Sequence, residues 1–201
     1  MRDAALRSQK DRLMTPFARR AFVRVHPNLI SVVAMAVGLA AAWAVTQELY
    51  WLGLGLWWGN RILDGLDGLV ARLHHKQSDF GGYLDLLLDF VVYLAVPVAF
   101  VLAQPTGVHL WALVALVGSY VLNTISWTVL AAILEKRQLQ SSARATTIEM
   151  PVGIVEGAET IVLYTVFFLI PWAVGILFWL MAALVMATVV QRVIWAYRHL
   201  P

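Results

Sequence analysis

The sequence predicts an all-α membrane protein, with six transmembrane helices preceded by an amphipathic interfacial helix. Three observations carry that prediction. The chain of 201 residues is 61% hydrophobic and only 13% charged, where soluble domains hold about half and about a quarter. Its apolar residues gather into six long segments, at about 29–47, 49–70, 83–103, 109–134, 150–170 and 172–197, each near the roughly 20 residues that cross hydrocarbon as a helix. Its basic residues cluster in alternate connections, so one side of the membrane receives nearly all of them. A soluble fold of this length could not hide so many large apolar side chains.

Residues 1–27 read as a cytoplasmic amphipathic segment and residues 28–201 as one six-helix domain. Within 3–24, basic positions alternate with Leu6, Leu13, Phe17, Ala18, Ala21 and Phe22, which suits a helix lying on the cytoplasmic leaflet. A solvated basic tail that merely sets topology is the alternative. No short apolar core followed by a small-residue cleavage site is seen near the N-terminus, so no signal peptide is expected. Pro27-Asn28 marks the turn into the first span, with Asn28 or Ser31 expected to cap it. Gln104-Pro105-Thr106-Gly107 and Ile170-Pro171-Trp172 are short turns with helix breakers.

Orientation follows from Lys and Arg. Arg2, Arg7, Lys10, Arg12, Arg19, Arg20 and Arg24 precede the first span. Arg72 and Lys76 follow the second, Lys136, Arg137 and Arg144 follow the fourth, and Arg192 and Arg198 end the chain. The positive-inside rule then places both termini in the cytoplasm, in a multi-pass protein of the inner cell membrane. Arg61 is the exception, inside the second span. The formal charge of +3 maps to segment ends, so membrane lipids rather than nucleic acid are the expected partner. The nine Trp residues suggest interfacial belts rather than a cofactor box. The absence of cysteine excludes disulfides and thiolate metal sites, leaving oxygen or imidazole ligands.

Chemistry enters where the second span ends, Asp64-Gly65-Leu66-Asp67-Gly68-Leu69-Val70-Ala71-Arg72, and the third begins, Gly81-Gly82-Tyr83-Leu84-Asp85-Leu86-Leu87-Leu88-Asp89. Each carboxylate near the bilayer centre costs roughly 2.5–3.5 kcal/mol, so four unpaired ones would cost on the order of 10 kcal/mol, comparable to a whole domain's stability. Asp64 and Asp67 are three apart and Asp85 and Asp89 four apart, so each pair shares a helix face. At about 1.5 Å per residue, Asp67 lies roughly 7 Å back from Arg72 and Asp85 roughly 6 Å in from Gly81. Asp64 and Asp89 each lie roughly 12 Å in. The pairs are matched in depth on neighbouring antiparallel helices. Facing carboxylates repel unless cations lie between them, and hard oxygen ligands favour Mg²⁺ or Mn²⁺. Two such ions can clamp the attacking and leaving oxygens of a phosphoryl displacement. Gly68 and Ala71 clear the face beside the carboxylates, Gly81 and Gly82 permit close approach, and the Arg72 fork suits phosphate at the water boundary.

The pattern Asp64-x2-Asp67-Gly68-x2-Ala71-Arg72-x8-Gly81-x3-Asp85-x3-Asp89 resembles the full signature of the CDP-alcohol phosphatidyltransferase family at every fixed position. The six-span layout, the amphipathic N-terminal segment and the Pro27-Asn28-Leu29-Ile30-Ser31 start extend the likeness over most of the chain. The resemblance implies a homodimer with a cytoplasm-facing cavity. It implies that Asp64, Asp67 and Asp85 bind two divalent metals, with Asp89 a shared ligand or the general base. It places Asp67, Gly68, Ala71, Arg72 and Gly81 around the CDP portion of a CDP-linked lipid, which would react with a small alcohol acceptor and release CMP. A CDP-aminoalcohol donor with diacylglycerol as acceptor is the alternative within the family. Outside it stand an ion or proton transporter using intramembrane acids, and a nonenzymatic assembly factor.

Other polar positions extend the candidate site. Arg61 lies one turn before Asp64 and would neutralise part of the cluster or touch a substrate phosphate. Ser119, Asn123 and Ser126 form a stripe on the fourth span that serves helix–helix bonding or lines a cavity. Glu156 and Glu159 share a face about two turns into the fifth span and are functional candidates by default, beside the close-packing pattern Gly153-x3-Gly157. Arg61, Asn123, Arg144, Glu156 and Glu159 are the expected acceptor-cavity residues. Two acids against one buried base would favour an unphosphorylated polyol or amino alcohol. His74 and His75 read as solvated loop residues.

Overall fold

The computed structural model describes residues 15, 25–140 and 153–200. The proposed interfacial helix, but for Thr15 and Val25 to Pro27, and Arg144 lie outside the described residues. Six α-helices and no strand are found among them. They are α1 (Pro27–Thr46), α2 (Tyr50–Leu73), α3 (Asp79–Ala103), α4 (Gly107–Gln140), α5 (Gly157–Leu169) and α6 (Val174–His199), with a 3-10 turn at Pro171–Ala173 before α6. Pro27–Thr46, Asp79–Ala103, Gly107–Arg137 and Pro171–His199 are long and apolar enough to cross a membrane. Many large apolar side chains face outward, Trp43, Trp51, Trp111, Trp172 and Ile176 among them, as a lipid-solvated surface requires. The protein is a multi-pass membrane protein.

Helix ends follow local chemistry and shift several expected boundaries. The start of α1 is capped by His26, in extended conformation, whose Nδ1 accepts the Asn28 N–H at 3.3 Å. Neither Asn28 nor Ser31 is the cap, because Pro27 at the first helical position places both inside the helix. The second helix runs on past Val70 to Leu73 and stops where His75 turns left-handed at φ 52°. The third starts at Asp79, four residues before the apolar run, because the Ser78 Oγ accepts the Gly81 N–H at 3.0 Å. The fifth helix has 13 residues, against the expected segment of about 150–170.

The chain forms two compact units. In the first, residues up to Thr106 together with Tyr164–Trp172, α1 packs on both α2 and α3. Close approach of α1 and α3 requires glycine at position 38, where a Cβ would lie 2.6 and 2.7 Å from the Val92 methyls. Ile30, Leu66, Leu69 and Val70 form a small buried core at one end of the α1–α2 contact. At the other end an aromatic core stacks Trp57 on Tyr164 at 4.9 Å, with Phe168 packed edge-on to Phe100 at 5.3 Å. Trp57 is therefore core rather than belt. The second unit comprises Gly107–Leu163 and Ala173–Pro201, with α4 packed along α6.

Candidate active site

The carboxylates gather in the first unit, between α1, α2 and α3. Asp67 is buried, and both its oxygens accept hydrogen bonds from the chain. The Ser31 hydroxyl donates to Oδ2 at 2.6 Å, and the Gly68 N–H donates to Oδ1. Asp64, Asp85 and Asp89 are half-buried. Arg61 joins the two deeper acids. Its Nη2 donates to Asp89 Oδ1 at 2.6 Å, and its Nη1 lies 3.7 Å from Asp64 Oδ2. Ion pairing is thus the role the structure gives Arg61.

Two openings adjoin these groups. The wider is a cleft of about 180 Å³, walled by Ser31 of α1, by Asp67, Gly68, Ala71 and Arg72 of α2, and by Gly81 and Asp85 of α3, with Lys76 and Ser78 at the connecting loop. The five positions that the resemblance puts around CDP therefore line one cavity. Its lip is tight at Gly81 and looser at Gly68 and Gly82. A Cβ on Gly68 would lie 3.3 Å from Arg72 Nη1, and one on Gly81 3.0 Å from Ser78 Oγ. Gly82 has nothing within 4 Å of such an atom. The narrower opening is a hollow of about 10 Å³ lined by Asp64, Asp85 and Asp89 together with Ser31 and Asn60. Asp85 and Ser31 belong to both.

A family model described as CDP-alcohol phosphatidyltransferase matches residues 24–193. The chain belongs to the CDP-alcohol phosphatidyltransferase family. It is a membrane transferase of phospholipid biosynthesis. It is similar to the inner membrane protein YnjF of Escherichia coli (strain K12), at 34% identity over 73% of this chain and 71% of that protein. It is also similar to archaetidylinositol phosphate synthase of Methanothermobacter thermautotrophicus, at 26% identity over 94% of this chain and 91% of that one. In fold it is similar to the crystal structure of Mycobacterium tuberculosis phosphatidylinositol phosphate synthase with CDP-DAG bound, with a TM-score of 0.67 and 21% identity over 90% of this chain and 92% of that one.

The donor set of this CDP-alcohol phosphatidyltransferase suits a hard divalent cation: carboxylate oxygens backed by a hydroxyl and an amide. The hollow among Asp64, Asp85 and Asp89 has the volume of about one water-sized sphere. Among the described residues, no three acidic or imidazole side chains are already drawn together as a coordination shell. Arg61 meanwhile holds one oxygen of Asp89, so the chain itself balances part of the carboxylate charge, one of the two roles expected of that residue.

Of the expected acceptor-cavity residues, Arg61 stands beside Asp64 and Asp89. Arg61 is in the first unit; Asn123, Glu156 and Glu159 are in the second. Asn123 Oδ1 accepts from Arg192 Nη1 at 2.6 Å, and Ser126 Oγ lies 3.4 Å from the same nitrogen. Glu156 and Glu159 stand at the start of α5 rather than two turns inside it. There Glu159 Oε2 accepts the Glu156 N–H at 3.2 Å, and Glu156 Oε1 accepts the Gly153 N–H at 2.8 Å. Glu159 thus reaches back to the residue that opens the helix, and Glu156 holds the backbone of the turn before it.

Several polar residues escaped the sequence reading. Ser31 was expected as a cap but binds Asp67. Asn60 donates to the Ala34 carbonyl at 2.7 Å, and Tyr93 accepts from Arg61 Nη1 at 2.9 Å. Arg192 was assigned to the chain end but is buried on α6. A polar residue one turn from a motif acid, as Asn60 is from Asp64, is the signal that could have marked the second of these.

Proposed function

We propose that this protein transfers a phosphatidyl-type group from a CDP-linked lipid to an alcohol hydroxyl and releases CMP. The alcohol oxygen bonds to the lipid-bearing phosphorus, the bond from that phosphorus to the bridging oxygen breaks, and the oxygen leaves with CMP. The observation that carries this reading is the cleft lined by Asp67, Gly68, Ala71, Arg72, Gly81 and Asp85, which shares Asp85 and Ser31 with the hollow lined by Asp64 and Asp89. The CDP-DAG named for the mycobacterial structure of the same fold supports a CDP-linked lipid as donor.

In this reading Gly68 and Ala71 leave room for the nucleotide, and Arg72 offers donors to its diphosphate. Asp64, Asp67, Asp85 and Asp89 hold two divalent cations, Mg²⁺ or Mn²⁺. When bound, these would polarise the phosphoryl oxygens and neutralise charge on the leaving group. Asp89 takes the proton of the acceptor hydroxyl. Ser31 keeps Asp67 in one orientation. The catalytic domain is residues 28–201, crossing the inner membrane six times with both termini and the cleft on the cytoplasmic side, and the enzyme works as a homodimer. The 1–27 segment lies on the same leaflet.

The test offers the purified full chain CDP-diacylglycerol with free inositol, inositol phosphate, glycerol phosphate, serine and other alcohols, and measures CMP. A parallel reaction supplies CDP-ethanolamine with diacylglycerol. Metal-dependent CMP release with one acceptor is the expected result. No CMP from any pair, in any divalent metal, would overturn the reading.

A further inference from the structure

Arg61 lies outside the family pattern, yet its charge is held from several sides. Its side chain is 3% exposed. Nε donates to Asn60 Oδ1 at 2.7 Å, Nη1 to the Tyr93 hydroxyl at 2.9 Å, and Nη2 to Asp89 Oδ1 at 2.6 Å. The guanidinium carbon sits 4.8 Å from the Trp57 ring centre and 4.9 Å from that of Tyr93, within cation–π range. Its holders are themselves held. Asn60 is tied to the α1 backbone at Ala34, and the Tyr164 hydroxyl donates to the Tyr93 carbonyl at 2.6 Å. A guanidinium fixed by three acceptors and two rings does not swing out to follow a substrate. It fixes what it touches, which is Asp89 and, at longer range, Asp64.

We propose that Arg61 is a positioning residue, an immobile internal cation that orients Asp89 and balances the carboxylate cluster while no divalent ion is bound. One oxygen of Asp89 is taken by Nη2, so the other serves the hollow that Asp89 lines. The proposal rests on the reading of Asp64 and Asp89 as metal ligands of a transferase. Charge explains why such a residue is useful. Four carboxylates that wait for metal in a low-dielectric setting repel one another, and a fork already seated among them lowers that repulsion without occupying the hollow. Lysine would keep the charge but not the planar fork that reaches Asn60, Tyr93 and Asp89 together.

The experiment compares full-length wild type with Arg61→Lys, Arg61→Gln and Tyr93→Phe in lipid nanodiscs. It reads Tm in chelator and in saturating Mn²⁺, Mn²⁺ binding by electron paramagnetic resonance, and kcat and KM for CMP release. The Mn²⁺-induced rise in Tm should be larger in Arg61→Gln than in wild type, because bound metal takes over the balancing. A residue that merely clipped helices together would lower both Tm values equally. Arg61→Lys should recover most of the metal-free Tm yet lose about tenfold in kcat with KM for the CDP-lipid nearly kept, the mark of a misplaced group rather than lost binding. Tyr93→Phe keeps charge and ring while removing one anchor, and should lower kcat several-fold with Tm nearly unchanged. It decides the matter if Arg61→Gln fails to fold. An unchanged Mn²⁺ shift in Arg61→Gln, or wild-type kcat in Arg61→Lys or Tyr93→Phe, overturns the proposal. Absence of CMP release by wild type would instead overturn the transferase reading, while the Tm and Mn²⁺-binding comparisons still decide whether Arg61 balances the cluster.

Discussion

Asp67 and Asp89 are both motif acids, yet the chain treats them differently. Asp67 is enclosed, 3% exposed, and takes its hydrogen bonds from the Ser31 hydroxyl and the Gly68 N–H. Asp89 opens on the hollow and is tethered by an ion pair to Arg61. Substituting each should therefore have distinct effects. Asp89→Asn keeps the shape but cannot accept the acceptor's proton, so CMP release should fall by about 10²-fold or more, the size of a lost general base, while CDP-lipid binding partly survives. Rates near wild type in that variant would remove Asp89 from the mechanism. Ser31→Ala leaves a buried carboxylate oxygen without its partner, at a cost of about 1.5–3 kcal/mol, read as a lowered Tm in chelator. The four acids were legible in the sequence because a carboxylate within an apolar run has few bland explanations. Ser31 was not, since a serine near a helix start is so often a cap.

At the scale of elements, α1 acts as the wall that turns two acidic helices into a site. It supplies Ser31 to the cleft and Ala34 to Asn60, and its Gly38 lets α3 approach. Gly38→Ala would press a methyl into the Val92 side chain, an overpacking expected to cost about 1–3 kcal/mol. Thermal unfolding checks this, with Val92→Ala added to Gly38→Ala as the control. The double variant should be less destabilised than the sum of the single ones, and simple additivity would show that the contact is not tight. Long helices were legible from hydropathy, but their ends were not. His26 caps through a ring nitrogen, and Ser78 extends α3 backwards through polar residues that carry no apolar signal. The start of α5 shows the same limit. Glu156 and Glu159 looked like buried functional acids because the apolar count ran through Gly153 and Ile154, whereas the backbone there is not helical. Glu159→Gln should change stability by no more than about 1 kcal/mol, read by thermal unfolding, with the order of preferred acceptors unchanged. A reordered preference would place that residue in the acceptor site.

For the whole molecule, the family and the reaction class follow from a motif of fixed spacing in an apolar chain, and both were legible before any coordinates. The charge balance of the site was legible only in part. Spacing shows four acids that need cations and Arg61 one turn from Asp64, but not whether that guanidinium turns towards the cluster or towards a substrate phosphate, because the order of residues does not fix where a side chain points. Chelation should abolish CMP release and added Mg²⁺ or Mn²⁺ should restore it, while the metal-free protein stays folded with Arg61 in place. Full turnover in chelator would remove the two-metal chemistry. The short α5 has a consequence of another kind. A helix of 13 residues rises about 20 Å, whereas hydrocarbon is about 30 Å thick. If α5 crosses, lipid must thin beside it, or the non-helical stretch from Gly153 to Glu156 must lie below the headgroups. That stretch is prepared for dry surroundings, since the Val155 N–H is taken by the Thr188 hydroxyl at 3.1 Å and the Gly153 N–H by Glu156. Bilayer thickness then becomes a control on the enzyme. Turnover should be higher in short-chain than in long-chain phosphatidylcholine vesicles, since hydrophobic mismatch of this kind strains the crossing, and the difference should grow in Thr188→Val, where the unwound stretch loses its inner partner.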